Sequence, residues 1–429
     1  MLGDGALPGF SSEAAPPWPV VSPVVDGLAA LGLTVVALRA AWVDDPRLAL
    51  GGLALGGVDA EDTLTRTATS SHRLYEAAWL GGVLPAGADW VPLEALERRP
   101  TPLGRAIDAG ALEPASGVHQ PWYRGEWLPD MVSWIDERLA AIGRRRRGRV
   151  RQVRSWARSA LLSVETDGGP VWAKQVPEIF AHEVAVTALL ADLDPGVVAP
   201  LIAGDVRSGR MLMEHVSGPL LADTGDPAAW LATMARLAEL QRVLAADLTA
   251  LEVAGVPHAP SADLDARLTT LVAVSPDWNA LEPSLAGYHE DLRVLCDSVI
   301  GASLEHGDLS ARQVIMGEMG PVFLDWSDAT VTHPFLAAAG LLDDPAHAAG
   351  RQGNDPRALT LEYLAGWHGE ATSGERELAA ARRIRPLHAA RECQDRILPG
   401  LDQPWELAWL IPALLARAAT VVDQRVGPR

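Results

Sequence analysis

Apolar residues recur at two spacings along the chain, and these spacings separate segments rich in strands from segments rich in helices. Residues 32–43 form an apolar run typical of a buried strand, and residues 89–96 predict a further strand and turn. Glycine pairs between and after these runs mark turns around short strands, at 51–52, 56–57 and 81–82. Residues 1–115 are therefore predicted to form a small α+β domain.

Residues 116–150 are predicted to be a linker followed by an amphipathic helix. Within 128–142, apolar residues recur at helical spacing, namely Met131, Val132, Ile135, Leu139 and Ile142. Arginines follow at 144–147, 149 and 151. They indicate a solvated helix end, or else a contact with phosphate or nucleic acid.

Residues 151–216 are predicted to form a β-rich unit. The runs at 153–164 and 170–175 read as two strands joined by a turn at 167–169, and residues 180–193 as a helix. A further strand that runs into a connector is predicted at 210–216.

Residues 217–429 are predicted to be mostly helical. Asp226 and Pro227 suit a helix start, because aspartate caps free amides and proline fits the first helical position. One face of that helix is predicted to lie in the core, with Trp230, Met234, Leu237, Gln241 and Leu244. Further helices are expected at 262–274 and 284–300, and breaks at Pro334, Pro356 and Pro404.

Composition and charge narrow the function classes. Apolar residues make up 48% of the 429 and charged residues 21%, which is ordinary for a globular protein. A net charge of −19 argues against general nucleic-acid binding. Only Cys296 and Cys393 are present, and the chain lacks an apolar stretch long enough to span a bilayer. We therefore expect a cytoplasmic protein with neither a nucleic-acid nor a membrane partner.

The chain has a single lysine, Lys174, so the other 35 of its 36 basic residues are arginine. Lysine supplies a compact point charge where arginine supplies a planar fork, so a site that needs an ammonium group is a reasonable expectation. Glu183, in the first turn of the next predicted helix, can reach back and orient this lysine. The alternatives are a strand-edge cation and an acid favoured by the helix dipole.

Residues 304–326 contain the strongest chemical pattern. His306-Gly307-Asp308 is followed by an amide at Gln313, and a hydrophobic run then ends in Asp325. Phosphoryl transfer needs a base for the acceptor hydroxyl and oxygen ligands for magnesium. Asp308 is predicted to be the base, Gln313 and Asp325 the metal ligands, and His306 a brace of the loop.

Three further residues are predicted to contact a nucleotide. Backbone groups near Glu214 and Val216 would bind the base at the connector between two lobes, and a hydroxyl of Ser155 or Ser159 would help to cover the phosphates. A plain buried strand is an equally compatible interpretation of 210–216.

This ordered set resembles the aminoglycoside phosphotransferase superfamily over residues 120–429. The resemblance implies a bilobal protein-kinase-like α+β fold, with a β-rich nucleotide-binding lobe at 151–216 and a helical acceptor lobe at 217–429. It also implies ATP or GTP and Mg²⁺ as cofactors, with Lys174 and Glu183 clamping the phosphates. Asp328 is predicted to contact metal or acceptor, or to brace a loop.

The chain departs from the superfamily in three ways. Gln313 stands where most members have asparagine, which resembles the maltokinase and actinobacterial glucosamine kinase branches. No glycine-rich loop precedes Lys174. The added residues 1–115 are similar in layout to a Nudix domain but lack its metal-binding box, so we expect a structural or docking role.

The pattern favours a magnesium-dependent kinase that acts on a hydroxylated small molecule such as a sugar, amino sugar or aminoglycoside-like acceptor. The alternative is a nucleotide-binding pseudokinase whose N-terminal domain docks a partner. A nucleic-acid binder using the arginines at 144–151 is a third hypothesis, disfavoured by the net charge.

Overall fold

The computed structural model describes most of the chain from residue 20 onward. The described ranges are 20–43, 73–83, 120–273, 281–344, 355–367, 371–401 and 405–423. The predicted strand at 89–96 and the break at Pro404 lie outside them.

The N-terminal part described consists of a helix and a two-stranded antiparallel sheet. Helix α1 is Ser22–Ala30, and strands β1, Leu33–Val43, and β2, Arg73–Gly82, pair with each other. This unit contacts the first strand of the next sheet. The Gln152 side chain donates to the Ala37 carbonyl at 2.7 Å and accepts from the Ala37 amide at 2.9 Å. These buried bonds hold the N-terminal unit to that sheet edge.

A five-stranded antiparallel sheet forms the core of the first lobe. Its strands lie in the order β3-β4-β5-β7-β6. Their bounds are Arg151–Trp156, Ser159–Val164, Val171–Gln175, Arg210–Glu214 and Leu201–Asp205 in that order. Helix α2, Trp127–Ala141, packs its apolar side against the sheet, as its periodicity predicts. Helix α3, His182–Leu193, follows β5 after a 3₁₀ turn at Glu178–Phe180.

The single strand predicted at 153–164 is wrong, because this segment is a hairpin. Trp156 pairs with Ser159, and the chain reverses through Ala157 and Arg158. Turns are recognised in sequence by glycine, proline, asparagine or aspartate. Neither turn residue is one of these, so the apolar run hides the reversal.

The second lobe is mostly helical, with two small sheets around the loop that carries Asp308. Its helices α4 to α12 are Pro227–Ala246, Thr249–Val253, Ser261–Ala273, Leu285–Cys296, Phe335–Leu342, Pro356–Ala365, Ala371–Glu392, Trp405–Ala408 and Leu410–Asp423. Its strands β8 to β11 are Ser303–Glu305, Val314–Gly317, Gly320–Phe323 and Thr330–Thr332. Strand β8 pairs with β11, and β9 pairs with β10.

Helix α4 organises this lobe as its pattern predicts. The Asp226 carboxylate accepts from the Ala228 amide at 2.9 Å, so the predicted cap is confirmed. The predicted face is buried throughout. On it, the Gln241 amide donates to the carbonyls of Leu304 and Pro334 at 2.9 and 3.0 Å and accepts from the Tyr363 hydroxyl at 2.7 Å. Gln241 thus fixes β8, the strand that leads to Asp308.

A separate apolar cluster joins the two lobes. It contains the hairpin residues Trp156 and Ala157, then Phe180, and from the second lobe Ile397, Leu401 and Leu407. The bilobal α+β fold class predicted from the sequence is confirmed. No helix among the described residues is both long and apolar enough to cross a membrane.

We expect Gln241→Ala to lower the free energy of unfolding by roughly 2–4 kcal/mol, because two buried carbonyls and one hydroxyl lose their partner. Urea denaturation measures the change. Glu239→Ala, on the exposed side of the same helix, is the control and should change stability by less than about 0.5 kcal/mol. Equal losses in the two variants would show that Gln241 contributes no special polar contact.

Candidate active site

The loop that carries Asp308 is held by backbone geometry at Gly307. This glycine has φ +84°, and a Cβ there would lie 2.4 Å from the Asp328 carbonyl oxygen. A side chain would therefore meet both strain and a clash. The close approach brings Asp308 and Asp328 to one place although twenty residues separate them.

His306 supports this loop from inside the lobe. It is fully buried, its Nε2 lies 2.9 Å from the Leu324 carbonyl oxygen, and its ring lies 4.6 Å from that of Trp326. Burial lowers the pKa of His306. The neutral ring with hydrogen on Nε2 therefore donates to the residue that precedes Asp325, a bracing contact like the one the sequence suggests.

Asp325 has an unusual backbone. Its φ of +64° makes it the one non-glycine residue with a positive φ among those the structure describes. The residue before it is fixed, because the Leu324 amide donates to the Gln313 carbonyl at 2.9 Å. Non-glycine residues with a positive φ raise the free energy of the folded state and cluster at functional sites. The bend turns the Asp325 carboxylate into the cleft between the lobes.

Lys174, Glu183 and Asp325 meet in that cleft. Lys174 Nζ donates to Glu183 Oε1 at 2.6 Å and to Asp325 Oδ1 at 2.7 Å. Lysine and glutamate come from the first lobe and the aspartate from the second. The only ammonium side chain of the protein is 7% exposed and bridges the lobes. The structure therefore brings together three of the residues singled out in the sequence.

The charges at this junction depend on one another. Burial opposes ionisation of Asp325, but the nearby Lys174 ammonium outweighs it and lowers the pKa of this carboxyl. Burial also opposes the charge of Lys174, yet Asp325 and Glu183 raise its pKa. Burial disfavours the ionised form of Glu183: it raises the pKa of this carboxyl to about 7, although the Lys174 charge lowers it. Removal of any member would leave a buried charge without compensation.

Asp325 and Gln313 fit a magnesium ion together with nucleotide phosphates. Asp325 Oδ1 accepts from Lys174 and, at 2.9 Å, from the Ser327 hydroxyl, whereas Oδ2 accepts from no described residue and the side chain is 30% exposed. The half-buried side-chain amide of Gln313 forms no hydrogen bond with another described residue. Magnesium is typically held by one or two protein oxygens plus phosphate and water. Accordingly, no group of three or more His, Cys, Asp or Glu side chains in the described regions is arranged for a metal.

Asp308 is a half-buried carboxylate that no described residue hydrogen-bonds. Burial is the largest cause of its raised pKa, about 7, and Asp328 adds to it, while Arg158 and Arg385 oppose the shift. A base with a pKa near neutral suits proton abstraction at physiological pH.

A cleft enclosing about 890 Å³, open solvent included, adjoins Asp308. One side is formed by the Arg158 hairpin, and the other by residues of the last helices. The second side includes Arg385, His388, Glu392, Trp409 and Arg417. Sequence analysis detects no constellation in 331–429, because these residues are spread over two helices, α10 and α12, and the turn that precedes α12.

Glu305 also lines this cleft and was missed by sequence analysis. It is 2% exposed, and burial raises its pKa to about 7 although the Gly307 amide and Arg385 oppose the shift. Its Oε2 has no partner among the described residues. The only sequence signal is an acid at the end of the short strand that precedes His306.

The two serines considered for phosphate cover are both hydrogen-bonded within the protein. The Ser155 hydroxyl donates to the Leu38 carbonyl at 2.7 Å, and the Ser159 hydroxyl accepts from the Trp156 indole at 3.1 Å. Both serines are buried and their hydroxyls bond within the protein, and the phosphate cover expected from one of them stays a prediction.

The predicted connector is present at the end of β7, with other contacts than expected. The Glu214 amide donates to the Pro200 carbonyl at 2.9 Å, and the Glu214 carboxylate binds Arg144 at 2.7 Å. Val216 is half-buried just beyond the strand. The Arg144 contact and a pair between Arg146 and Asp136 at 2.9 Å also show that part of the basic run is used within the first lobe.

Several solved structures are similar to this chain. A GDP-bound mutant of aminoglycoside 2′-phosphotransferase-IIIa shares 15% identity with a TM-score of 0.49, over 70% of this chain and 98% of that one. The choline kinase of Streptococcus pneumoniae shares 13% with a TM-score of 0.46, over 69% and 99%. A macrolide 2′-phosphotransferase type I shares 15% with a TM-score of 0.45, over 67% and 96%.

Each of these structures is less than 20% identical to this chain and aligns with a TM-score below 0.5. No protein-family model matches the sequence, and no curated protein sequence matches it. The roles of the individual residues rest on the geometry of the site.

We expect Glu305→Gln to stabilise the protein at pH 8 and to have little effect at pH 4.5. The pKa of Glu305 is higher in the folded state, about 7, than its ordinary value of 4.5. Its contribution to stability is therefore complete below about pH 4.5 and is lost as pH rises through 7. The shift corresponds to up to about 3 kcal/mol at pH 8.

Urea denaturation of wild type and variant at both pH values measures this difference. The matched control is Glu318→Gln, an exposed glutamate in the β9–β10 turn, which should change stability equally little at both. A Glu305→Gln variant that is less stable than wild type at pH 8 would contradict the raised pKa.

Proposed function

We propose that this protein is a magnesium-dependent kinase that transfers the terminal phosphoryl group of ATP or GTP to a hydroxyl of a small molecule. The observation that carries the proposal is the junction of Lys174, Glu183 and Asp325 between the lobes, with Asp308 in the adjoining cleft. Phosphoryl transfer requires an ammonium group that binds the phosphates, a carboxylate that can bind a metal, and a nearby base.

Lys174 is the nucleotide-binding group in this proposal. Glu183 holds the ammonium from one side, so its position does not depend on Asp325 alone. When a nucleotide binds, Lys174 can donate to phosphate oxygens while the glutamate keeps it in place. Bound magnesium would neutralise phosphate charge, and Asp325 Oδ2 and the Gln313 amide oxygen are the groups that would hold it.

Asp308 is the group that would accept the proton of the acceptor hydroxyl. Its carboxylate is free of protein donors among the described residues and lines the cleft that could hold the acceptor. The walls combine carboxylates and arginines with Trp409 and apolar side chains, so they suit a polar ring compound with several hydrogen-bonding groups. A sugar, amino sugar or aminoglycoside-like acceptor fits this description.

We expect Asp308→Asn to lower kcat by roughly 10²–10⁴-fold, the usual contribution of a general base, with little change in nucleotide affinity. The measurement is nucleotide turnover with a panel of sugars, amino sugars and aminoglycosides. Asp297→Asn, an exposed aspartate outside the cleft, is the control and should keep wild-type activity.

Equal background turnover in wild type and Asp308→Asn across the panel would contradict the proposal. Nucleotide binding that does not depend on magnesium and leads to no turnover would instead favour a regulatory nucleotide-binding protein.

We expect kcat to fall as pH decreases below about 7, because Asp308 must be ionised to accept a proton and its pKa is about 7. Well below that value the loss approaches tenfold per pH unit. In the Asp328→Asn variant this acidic limb of the pH profile of kcat should shift to lower pH, because the Asp328 charge raises the Asp308 pKa. An acidic limb that stays in place in this variant would show that another group controls the profile.

A further inference from the structure

The tip of the β3–β4 hairpin lies where a kinase-like lobe covers the nucleotide phosphates, but its two serine hydroxyls and the Ala157 amide are already hydrogen-bonded within the protein. The Ser155 and Ser159 hydroxyls bond inside the lobe. The Ala157 amide donates to Glu406 Oε2 at 2.7 Å. A phosphate therefore needs another donor on this side of the cleft.

The side chain of Arg158 at this tip reaches across to the second lobe. It forms an ion pair with Asp328, and its Nη2 lies 3.5 Å from the Ser327 hydroxyl. Its guanidinium carbon lies 5.0 Å from the Phe180 ring centroid and 5.6 Å from that of Trp156. Two aromatic faces and one carboxylate thus fix the plane of the guanidinium.

Arg158 is also placed among the carboxylates of the active site. It lines the same cleft as Asp308, and its charge acts on Asp308 and on Asp325 as well as on Asp328. The pKa of Asp325 is accordingly lowered by the charge of Arg158 in addition to those of Lys174 and Arg154. A phosphate bound between Asp325 and Asp308 would lie next to this guanidinium.

We propose that Arg158 binds the terminal phosphate of the nucleotide and takes the place of the missing glycine-rich loop. Its contacts to Asp328 and Ser327 use only Nη2, and Nε and Nη1 donate to no described residue. Arginine presents a rigid set of donors that matches phosphate oxygens, and here stacking reduces the freedom lost on binding. The inference rests on the proposed function and adds a residue to it.

This placement also gives Arg158 a role during transfer. An arginine that contacts the transferred group stabilises the charge on its oxygens in the transition state. Because Arg158 belongs to the same chain and is held by Phe180 and Trp156, that charge is present without a partner protein. The terminal phosphate is the part that distinguishes ATP from ADP, so the proposal is testable by binding alone.

The experiment compares binding of ADP and of a non-hydrolysable ATP analogue, with magnesium, by titration calorimetry. We expect wild type to bind the analogue more tightly than ADP. In Arg158→Gln, we expect affinity for the analogue to fall roughly 10–100-fold, as for a lost charge-assisted hydrogen bond, with ADP affinity changed less than about twofold. Arg158→Lys should fall between the two.

Two further variants separate this role from a structural one. Arg207→Gln removes an exposed arginine of the same lobe and should leave both affinities unchanged. Asp328→Asn removes the tether but keeps the guanidinium, so it should lose less of the preference than Arg158→Gln. If Asp328→Asn and Arg158→Gln lose the preference for the ATP analogue equally, Arg158 only braces Asp328 and the proposal is overturned.

The outcomes distinguish this proposal from the one it rests on. A wild type that binds neither this pair of nucleotides nor the matching pair of GDP and a non-hydrolysable GTP analogue overturns the kinase assignment and Arg158 with it. A wild type that prefers the analogue, together with an Arg158→Gln variant that keeps the same preference, overturns only the role of Arg158. Circular dichroism verifies folding, and if the glutamine variant does not fold, Arg158→Lys alone decides through the loss of preference.

Discussion

The ion pairs of Lys174 are the interaction on which the geometry of the site depends. One buried ammonium contacts carboxylates from both lobes, so the position of each lobe is linked to the charge state of the other. Such a group is costly to bury alone, and its two partners offset that cost only in this arrangement. Phosphate oxygens can replace one carboxylate as partner without leaving the ammonium bare. The same electrostatic requirement therefore links the two lobes and, in the proposed function, favours an anionic ligand at the junction.

The segment around Asp308 and Asp325 is held by polar contacts inside an apolar lobe. Gln241 ties β8 to helix α4, and His306 ties the loop to Leu324. Gly307 permits a close approach that a Cβ would prevent. These buried contacts cost little once satisfied, but they define a single arrangement of the loop. A positive φ at Asp325 is tolerated because the residues on either side are fixed in this way.

Sequence reasoning could place the helices and most of the site because those signals are local. Asp226 and Pro227 mark a helix start, and the uniqueness of Lys174 draws attention to the strand where the structure has it. The hairpin at 157–158 could not be predicted, because Ala157 and Arg158 carry no turn signal and the reversal is stabilised by distant contacts. Glu305 and Arg385 could not be linked either, since their proximity depends on how helix α10 packs. Local sequence patterns do not reveal contacts between residues that are distant in the chain and meet only in the folded protein.

The arginines around Asp308 explain how one carboxylate can be both buried and basic. Burial alone would keep Asp308 protonated, and a protonated acid cannot accept the proton of a hydroxyl. Arg158 and Arg385 oppose that effect without hydrogen-bonding the carboxylate, while Asp328 works in the other direction. A direct bidentate pair with arginine would lower the pKa too far and weaken the base. The opposing charges leave a pKa of about 7, so in the proposed function about half of the carboxylate is ionised near neutral pH and is basic enough to accept a proton.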